Sequence, residues 1–174
     1  MKLVLAIAPD RFRDEELFVP QKAFADAGVE TVIASTKTGT CEGMLGGAAE
    51  ATTTFVEVAP EAYDGIVIAG GIGSQDFLWG NNDLIRLVQT FAKDGKVVAA
   101  ICLSPVVLAR AGVLKGKSAT VFNSPASVSE IRRGGATLTD RDVVVDGKVV
   151  TANGPFASKA FAASVLSVLS PISP

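Results

Sequence analysis

The sequence predicts an α/β fold, in which an open, mostly parallel sheet carries helices on both faces. Short apolar segments such as LVLAIA (3–8), VETVIA (29–34), GIVIAGG (65–71) and KVVAAIC (96–102) are typical of strands buried on both faces. Segments with helical apolar spacing separate these strands, and repeated β-α alternation of this kind builds a doubly covered sheet. No repeat, linker or low-complexity segment interrupts the alternation, so we expect residues 1–174 to form one domain.

The first two strands and the segment between them predict a βαβ unit. Residues 10–28 begin with charges that suit a helix N-terminus, and they end in a glycine that is a natural C-cap. Pro20 lies inside this segment and is expected to kink the helix or to divide it. Residues 35–60 are then rich in glycine and threonine, which favours a small β-hairpin excursion with Gly46-Gly47 as its turn.

The elements of the second half follow the third strand. Residues 72–81 (IGSQDFLWGN) are expected to be a loop, and residues 81–94 an amphipathic helix. The fourth strand ends at Cys102, where a Ser-Pro pair introduces a sharp turn and a helix that ends at Gly112. The remaining predictions are a strand at 117–122, a capped helix at 123–135, short edge strands at 137–138, 142–146 and 149–152, and a last helix from Pro155 to about Leu169.

The carboxyl ends of the first, third and fourth strands are expected to build the functional site. Ligands bind at this edge of open parallel sheets, and the loops after Ala8, Ala69 and Ile101 lie there. Cys102 lies on the last of these loops, where the free N–H groups and positive end of the following helix favour a thiolate. The alternative is that Cys102 is a small buried hydrophobic residue, which is the usual fate of a free cysteine.

Two further features could converge with this cysteine. Glu16, or less readily Glu15, lies on the first helix, and a carboxyl beside a thiol can stabilise the thiolate as a donor or move protons as a carboxylate. The backbone N–H groups of Gly71 and Leu103 could form an oxyanion hole. The alternatives are that the glutamates belong to a solvated charged patch, DRFRDEE, and that the glycine pair is an ordinary turn.

Composition argues against several classes of protein. The net charge is −2 and the basic residues are scattered, which argues against a nucleic-acid partner or a charged membrane surface. No apolar run approaches the roughly 18 residues that span a bilayer, and the N-terminus lacks a signal-peptide pattern. Cys41 and Cys102 provide neither a disulfide framework nor zinc spacing, so a reducing, cytoplasmic location is expected. Cys41 is expected to be incidental, although an exposed thiol there could form mixed disulfides.

The chain contains no histidine. This excludes Cys-His and Ser-His pairs within the chain, and also a conventional histidine metal site. The glycine pair does not continue into a phosphate-binding fingerprint. We therefore expect neither a metal nor a cofactor, and we interpret Trp79 and Phe77 as lid or dimer contacts rather than as a cofactor platform.

Three segments resemble the PfpI/ThiJ superfamily of class I glutamine amidotransferase-like proteins: GIVIAGGIGSQD (65–76), KVVAAICLSPVVLARAGVLKGKSAT (96–120) and VVVDGKVVTANGPFASKAFA (143–162). This superfamily includes intracellular PfpI-type proteases, the parkinsonism-associated deglycase, heat-shock glyoxalase/chaperones and isocyanide hydratases. The resemblance implies a flavodoxin-like fold with a cysteine on a nucleophile elbow, and assembly as a homodimer or larger homo-oligomer.

The resemblance also implies roles for individual residues. Cys102 matches the elbow cysteine, and Glu16 in EELFVP matches the acidic residue beside it. Gly71 and Leu103 match the positions whose backbone N–H groups form the oxyanion hole. Further residues expected in or around the pocket are Gly70, Gln75, Asp76, Ser104 and Asn123.

The sequence departs from the protease-like branch of this superfamily. Leu103 stands where that branch has a histidine after the nucleophile, and Gln75 stands where it has a glutamate contributed by a neighbouring subunit. The histidine that many members carry near the position of Asn123 or Ser124 is absent, and Leu103 also differs from the threonine of isocyanide hydratases. Protease or amidase activity is therefore disfavoured.

The residues that remain imply a cofactor-independent, cysteine-dependent enzyme that acts on small reactive carbonyls, like a glyoxalase or deglycase. Cys102 would attack the carbonyl, and Glu16 would move the proton. Two alternatives stay open. One is a stress-linked redox sensor or chaperone-like dimer that uses oxidation of Cys102, and the other is a divergent hydratase or hydrolase in which solvent or Asp76 transfers protons.

Overall fold

A seven-stranded sheet forms the centre of the computed structural model, which describes residues 1–169. Residues 170–174, the end of the predicted domain, lie outside the described part. The strands are β1 (Lys2–Ala6), β2 (Asp10–Phe12), β3 (Glu30–Ser35), β4 (Gly39–Gly43), β5 (Ala48–Ala51), β6 (Thr53–Thr54), β7 (Gly65–Ile68), β8 (Val97–Ile101), β9 (Ser118–Ala119), β10 (Thr137–Leu138), β11 (Val143–Asp146) and β12 (Val149–Ala152). The α-helices are α1 (Asp14–Asp26), α2 (Ile72–Phe77), α3 (Asn82–Lys93), α4 (Pro105–Arg110), α5 (Pro125–Arg133) and α6 (Ser158–Leu169).

The strand order of the large sheet is β11-β12-β8-β7-β1-β3-β6. Every neighbouring pair in it is parallel except β11 and β12, which form an antiparallel hairpin. Its central order, β3-β1-β7-β8-β12, is the flavodoxin-like arrangement, so the predicted fold class is confirmed. The order of strands reverses between β1 and β7, and such a point opens a crevice at the carboxyl edge of the sheet.

Helices cover both faces of the sheet, as the alternation of apolar segments predicts. Because successive side chains of a strand point to opposite faces, Val4 of β1 packs on the side that α3, α4 and α5 cover. Its neighbour Leu5 packs on the other side with residues of α1 and α6. Glu16 and Cys102 belong to this second side, the former on α1 and the latter just after β8.

The predicted hairpin excursion is confirmed. β4 and β5 are antiparallel, with Glu42 opposite Ala48, and Gly46 in the turn between them has a φ of 90°. β4 also pairs with β2, so the excursion becomes a separate three-stranded sheet.

Three predictions about helices and loops are corrected by tertiary contacts. Residues 72–77 form the helix α2 instead of a loop, since Gly71 turns the chain at a φ of 109° and buried Ser74 anchors the first turn. Residues 10–12 form the strand β2 instead of the start of a helix, because they pair with β4. Pro20 does not divide α1, which runs unbroken from Asp14 to Asp26.

The C-terminal third differs in detail from the prediction. The strand predicted at 117–122 is reduced to β9, which pairs with β10 outside the main sheet. β12 is not an edge strand, because it lies between β11 and β8 and all four of its residues are buried. The capped helix is confirmed as α5, with a reciprocal capping box between Ser124 and Ser127. None of the helices within residues 1–169 is long and apolar enough to cross a membrane.

Candidate functional site

Three loops meet at the carboxyl edge of the sheet, at the point that the alternation predicts. The strands before them end nearly level, because Ala6 of β1 pairs with Ile68 of β7, which pairs with Ala100 of β8. These loops carry α1 with Glu16, the glycine pair after β7, and Cys102 after β8.

Cys102 lies on a strained turn. Its φ is 66°, a left-handed value that a non-glycine residue rarely adopts, and the N–H of Ser104 donates to the carbonyl of Ile101 at 3.1 Å. Two further hydrogen bonds hold the turn: Cys102 N donates to Ala152 O at 2.8 Å, and Phe122 N donates to Cys102 O at 2.8 Å. A strained conformation held from several sides in this way is a hallmark of functional positions.

Glu16 is the acidic group beside this cysteine. It is 1 % exposed, and its Oε1 accepts a hydrogen bond from the N–H of Gly70 at 3.1 Å. Its Oε2 has no hydrogen-bond partner of ordinary geometry among residues 1–169. Burial raises the pKa of Glu16 to about 8, and the thiol of Cys102 and the N–H of Gly70 offset this only in part. The carboxyl is therefore mainly protonated at neutral pH.

Glu15, the alternative acidic residue, has a different environment. It forms a salt bridge with Arg13 at 3.0 Å, and this pairing holds the pKa of Glu15 below its usual value. Of the two glutamates, only Glu16 is buried against the thiol.

The thiol of Cys102 is 6 % exposed, and burial raises its pKa to about 12. The charge of Glu16 raises this pKa further, whereas the backbone N–H groups of Gly71 and Leu103 lower it. Burial therefore opposes the thiolate that the sequence predicts. The helix α4, whose positive end was expected to stabilise the thiolate, has only six residues. Since Glu16 and Cys102 titrate as a coupled pair, a thiolate forms most readily while Glu16 is protonated and the pair carries one charge.

The glycine pair allows the loop after β7 to approach the cysteine. A side chain at Gly70 would meet the Cβ of Cys102 at 2.6 Å and the Oε1 of Glu16 at 2.7 Å. Gly71 has a φ of 109°, which suits glycine, and a Cβ there would overlap the backbone of Arg13. Both glycines are thus required by the backbone of the site.

A cleft of about 690 Å³ opens over Cys102. Its walls are mainly apolar, with the charged residues Arg13 and Asp142 among them. The other lining residues are Met44, Gly71, Ile72, Leu103, Val121, Phe122, Asn123, Asn153, Gly154, Pro155 and Phe156. The sequence did not predict that Arg13 or Phe122 lines the cleft. Arg13 belongs to the charged patch DRFRDEE, and this position beside Glu16 was the one available indication for it.

The structure separates the other predicted pocket residues into two groups. Asn123 lines the cleft, and buried Ser104 lies behind it, where its hydroxyl donates to the carbonyl of Ala69 at 2.6 Å. Gln75 and Asp76 are exposed on α2 and do not line the cleft, and Asp76 forms an ion pair with Arg11 at 2.8 Å.

The structure changes the interpretation of two single residues, Cys41 and Trp79, and gives Phe77 a cationic neighbour. Cys41 is 1 % exposed within β4, so it is not the exposed thiol that mixed disulfides would need. Trp79 is 5 % exposed, and its indole N–H donates to the carbonyl of Leu103, so it is not a lid. Phe77 is partly buried, with the guanidinium of Arg11 at 5.9 Å from its ring centre. Within residues 1–169, no group of three or more cysteine, aspartate or glutamate side chains could hold a metal ion.

Comparison with known proteins places this site in a family context. A model described as the DJ-1/PfpI family matches residues 1–168. An uncharacterized protein of Methanocaldococcus jannaschii is 49% identical over 168 residues, which are 97% of this chain and 82% of that protein. A protein of Escherichia coli named protein/nucleic acid deglycase 2 is 31% identical over 171 residues, which are 97% of this chain and 98% of that protein.

A solved structure has nearly the same fold. The crystal structure of a ThiJ/PfpI domain protein from Brachyspira murdochii is 37% identical and has a TM-score of 0.94. The superposition covers 99% of this chain and 98% of that one.

Proposed function

This chain belongs to the DJ-1/PfpI family, and we propose that it is a cofactor-independent, cysteine-dependent enzyme acting on small reactive carbonyls. One observation carries the proposal: a buried carboxyl, whose pKa burial raises to about 8, lies beside a cysteine that lines an open cleft. A buried acid whose pKa lies near neutrality can both give and take a proton during a reaction. The relative from Escherichia coli, which is named a deglycase, supports the choice of substrate class.

The first step is addition of Cys102 to the aldehyde carbon of a 2-oxoaldehyde, and it begins when the thiol loses its proton to solvent while Glu16 stays protonated. The sulfur forms a bond to carbon, and the electron pair of the C=O π bond moves onto the oxygen. The N–H groups of Gly71 and Leu103 stabilise this oxyanion, and Glu16 protonates it to give a hemithioacetal. Glu16 leaves this step as a carboxylate.

The second step uses that carboxylate as a base. Glu16 removes the proton from the carbon bound to sulfur, which gives an enediolate, and returns it to the neighbouring carbon, while the hydroxyl proton moves from one oxygen of the substrate to the other. The product is a thioester of a 2-hydroxy acid, and water hydrolyses it to release the acid and the thiol. The overall reaction adds one water to the 2-oxoaldehyde, so it needs no external oxidant or reductant.

The test is lactate formation from methylglyoxal by the purified protein. Cys102→Ala and Glu16→Gln should each lower turnover by at least about 100-fold, because one removes the nucleophile and the other the proton carrier. Cys41→Ala is the matched control and should retain turnover, since this buried thiol lies away from the cleft. Full turnover in either site variant would refute the proposal.

A redox sensor is the second candidate function, and the position of the Glu16 carboxyl beside the thiol of Cys102 favours it. Hydrogen peroxide would oxidise the thiolate of Cys102 to a sulfenate and a second equivalent would give a sulfinate, with one water released at each step. A protonated Glu16 and the N–H groups of Gly71 and Leu103 would donate to the sulfinate oxygens. Intact-mass measurement after mild peroxide treatment should show two added oxygen atoms, which Cys102→Ser should lose. An unmodified Cys102 would count against this function.

No observation favours the hydratase alternative, because Asp76 pairs with Arg11 away from the cleft.

The predicted homo-oligomer stays a proposal. Phe156 and Ile72 both line the cleft, and Phe156 is fully exposed while Ile72 is 52 % exposed. Burial of such side chains against a second copy would stabilise a dimer. Light scattering of the purified protein measures the oligomeric state, and a monomer at all accessible concentrations would contradict the proposal.

A further inference from the structure

We propose that Trp79, the only tryptophan of the chain, is a positioning residue that fixes the oxyanion hole at Cys102. This inference rests on the proposed function for its effect on turnover. Its effect on the thiol is independent of that function. Trp79 acts through the backbone of Leu103, and it does not touch the reacting atoms.

The orientation of the Leu103 N–H depends on two adjacent peptide groups. The first joins Cys102 to Leu103, and its carbonyl accepts a hydrogen bond from Phe122 N at 2.8 Å. In a planar trans peptide the N–H points opposite to the C=O, so this bond directs the Leu103 N–H away from Phe122. The second joins Leu103 to Ser104, and its carbonyl accepts the indole N–H of Trp79 at 2.8 Å.

The contact between the indole N–H of Trp79 and the carbonyl of Leu103 restricts the second of the two peptide groups. With one peptide held by Phe122 and the next by Trp79, rotation about both backbone bonds of Leu103 is restricted. The positive φ of Cys102 makes such restraint necessary, because a strained turn relaxes where its hydrogen bonds allow it. Loss of the indole contact should therefore release the peptide that follows Leu103.

Trp79 is itself held in place by residues of α4 and α5. The guanidinium of Arg110 lies 5.7 Å from the centre of the indole and donates to the carbonyl of Trp79 at 3.0 Å. Arg110 in turn donates to both carboxylate oxygens of Glu130, at 3.0 and 2.8 Å. The side chain of Glu130 is 14% exposed, which makes this pair better shielded than an ordinary surface ion pair.

A second contact ties the same region to the loop after β7. The backbone N–H of Trp79 donates to the carbonyl of Ser74 at 3.0 Å, and the Ser74 hydroxyl is 2.8 Å from that of Ser104. Ser104 directly follows Leu103, and Ser74 lies three residues after Gly71; the N–H groups of Leu103 and Gly71 are the two that face the sulfur. Trp79 therefore contacts both loops of the oxyanion hole, the loop after β7 through its backbone N–H and the turn at Leu103 through its indole N–H.

The test compares Trp79→Phe with Gln89→Met. The first removes the indole N–H and keeps an aromatic ring. The second removes a similar hydrogen bond, from Gln89 Nε2 to the carbonyl of Ala111 at 3.2 Å, at the far end of α4. Arg110→Met is a further variant, which loosens the indole without removing it. Thermal melting of all three measures any general loss of stability.

The readouts are the pH dependence of Cys102 alkylation by iodoacetamide, in a Cys41→Ala background, and the kinetics with methylglyoxal. The charged groups that face the thiol are Glu16 on α1 and Arg13 just before that helix. Those around the indole are Arg110 and Glu130, and Trp79→Phe leaves all four groups in place.

Trp79→Phe should raise the pKa of the thiol by about half a unit, which lowers the alkylation rate about threefold at a given pH below it. It should also lower kcat about tenfold with little change in KM, because a misaligned donor stabilises the transition state less. Arg110→Met should shift both quantities in the same direction, and Gln89→Met should shift neither.

Two results separate this inference from the proposed function. Absence of methylglyoxal turnover in the wild type, with a displaced alkylation profile in Trp79→Phe, would overturn the function and support the positioning role. An alkylation profile in a folded Trp79→Phe that matches the wild type would overturn the positioning role, whatever the turnover.

Discussion

Glu16 Oε1 accepts a hydrogen bond from the backbone N–H of Gly70 at 3.1 Å, and this contact joins the helix after β1 to the loop after β7. The same carboxyl lies against the thiol of Cys102, so one buried side chain connects all three loops of the site. Its burial raises its pKa to about 8, so the carboxyl is mainly protonated near neutral pH. The predictions below follow from this arrangement.

Gly70→Ala should disrupt the site while leaving the fold in place. The added methyl group would lie 2.6 Å from the Cβ of Cys102 and 2.6 Å from the carbonyl of Ile101, so the loop must shift. We expect a loss of about 1–3 kcal/mol in the free energy of unfolding, measured by urea denaturation, and a fall of at least about tenfold in kcat. Gly80→Ala is the control, because nothing lies within 4 Å of a Cβ there. Equal behaviour of the two variants would contradict the packing argument.

The stability of the protein should depend on pH through Glu16. Burial raises the pKa of Glu16 to about 8 in the folded chain, from its ordinary value of 4.5. Between those two pH values the unfolded chain has lost this proton and the folded chain keeps it, so folding stability falls as the pH rises. Relative to Glu16→Gln, the wild type should lose up to about 1.4 kcal/mol per pH unit in this window and level off above it. Urea denaturation at several pH values measures the difference, and a constant difference across the window would refute the assignment.

Glu16→Gln should separate formation of the thiolate from proton transfer. The carboxylate of Glu16 raises the pKa of Cys102, so its replacement by a neutral amide should make the thiol ionise more easily above about pH 8. Alkylation of Cys102 by iodoacetamide should therefore be as fast as in the wild type or faster at that pH, while turnover of methylglyoxal is lost. Slower alkylation in the variant would show that Glu16 mainly activates the sulfur.

Much of the fold is predictable because buried strands leave a clear pattern. β8 reads VVAAI and all five of its residues are buried, so the apolar run follows directly from burial on both faces. The helix α2 escapes prediction because six residues contain too little periodicity. Its position depends on the contact between Ser74 and Ser104, which are 30 residues apart in the chain.

The site is predictable where strand ends determine it. Glu16 and Cys102 converge because parallel strands bring their carboxyl ends to one edge. Arg13 and Phe122 also line the cleft, but the sequence does not predict this. The paths of their segments depend on long-range contacts, such as the pairing of β2 with β4, which leave no pattern in the local sequence. The raised pKa of Cys102 also escapes prediction, because it depends on how deeply the folded chain buries the sulfur.

The size and composition of the cleft predict a preference for 2-oxoaldehydes with an apolar substituent. About 690 Å³ is far more than a three-carbon substrate fills, and Leu103, Val121 and Phe122 line it close to the cysteine. A phenyl group in place of the methyl group of methylglyoxal should be removed from water against these side chains. We therefore expect a higher kcat/KM for phenylglyoxal than for methylglyoxal, measured by formation of the corresponding 2-hydroxy acids.

Phe122→Ala tests this preference, because it removes the largest of these three apolar contacts and leaves Glu16 and Cys102 unchanged. We expect kcat/KM for phenylglyoxal to fall about tenfold or more, while kcat/KM for methylglyoxal changes by less than about twofold. Val145→Ala is the matched control, since Val145 is an apolar residue of comparable exposure, 49 % against 44 %, that does not line the cleft. An equal loss for both substrates in Phe122→Ala would mean that Phe122 acts by supporting the turn at Cys102, whose carbonyl its backbone N–H contacts. In that case the apolar wall of the cleft would not select the substrate.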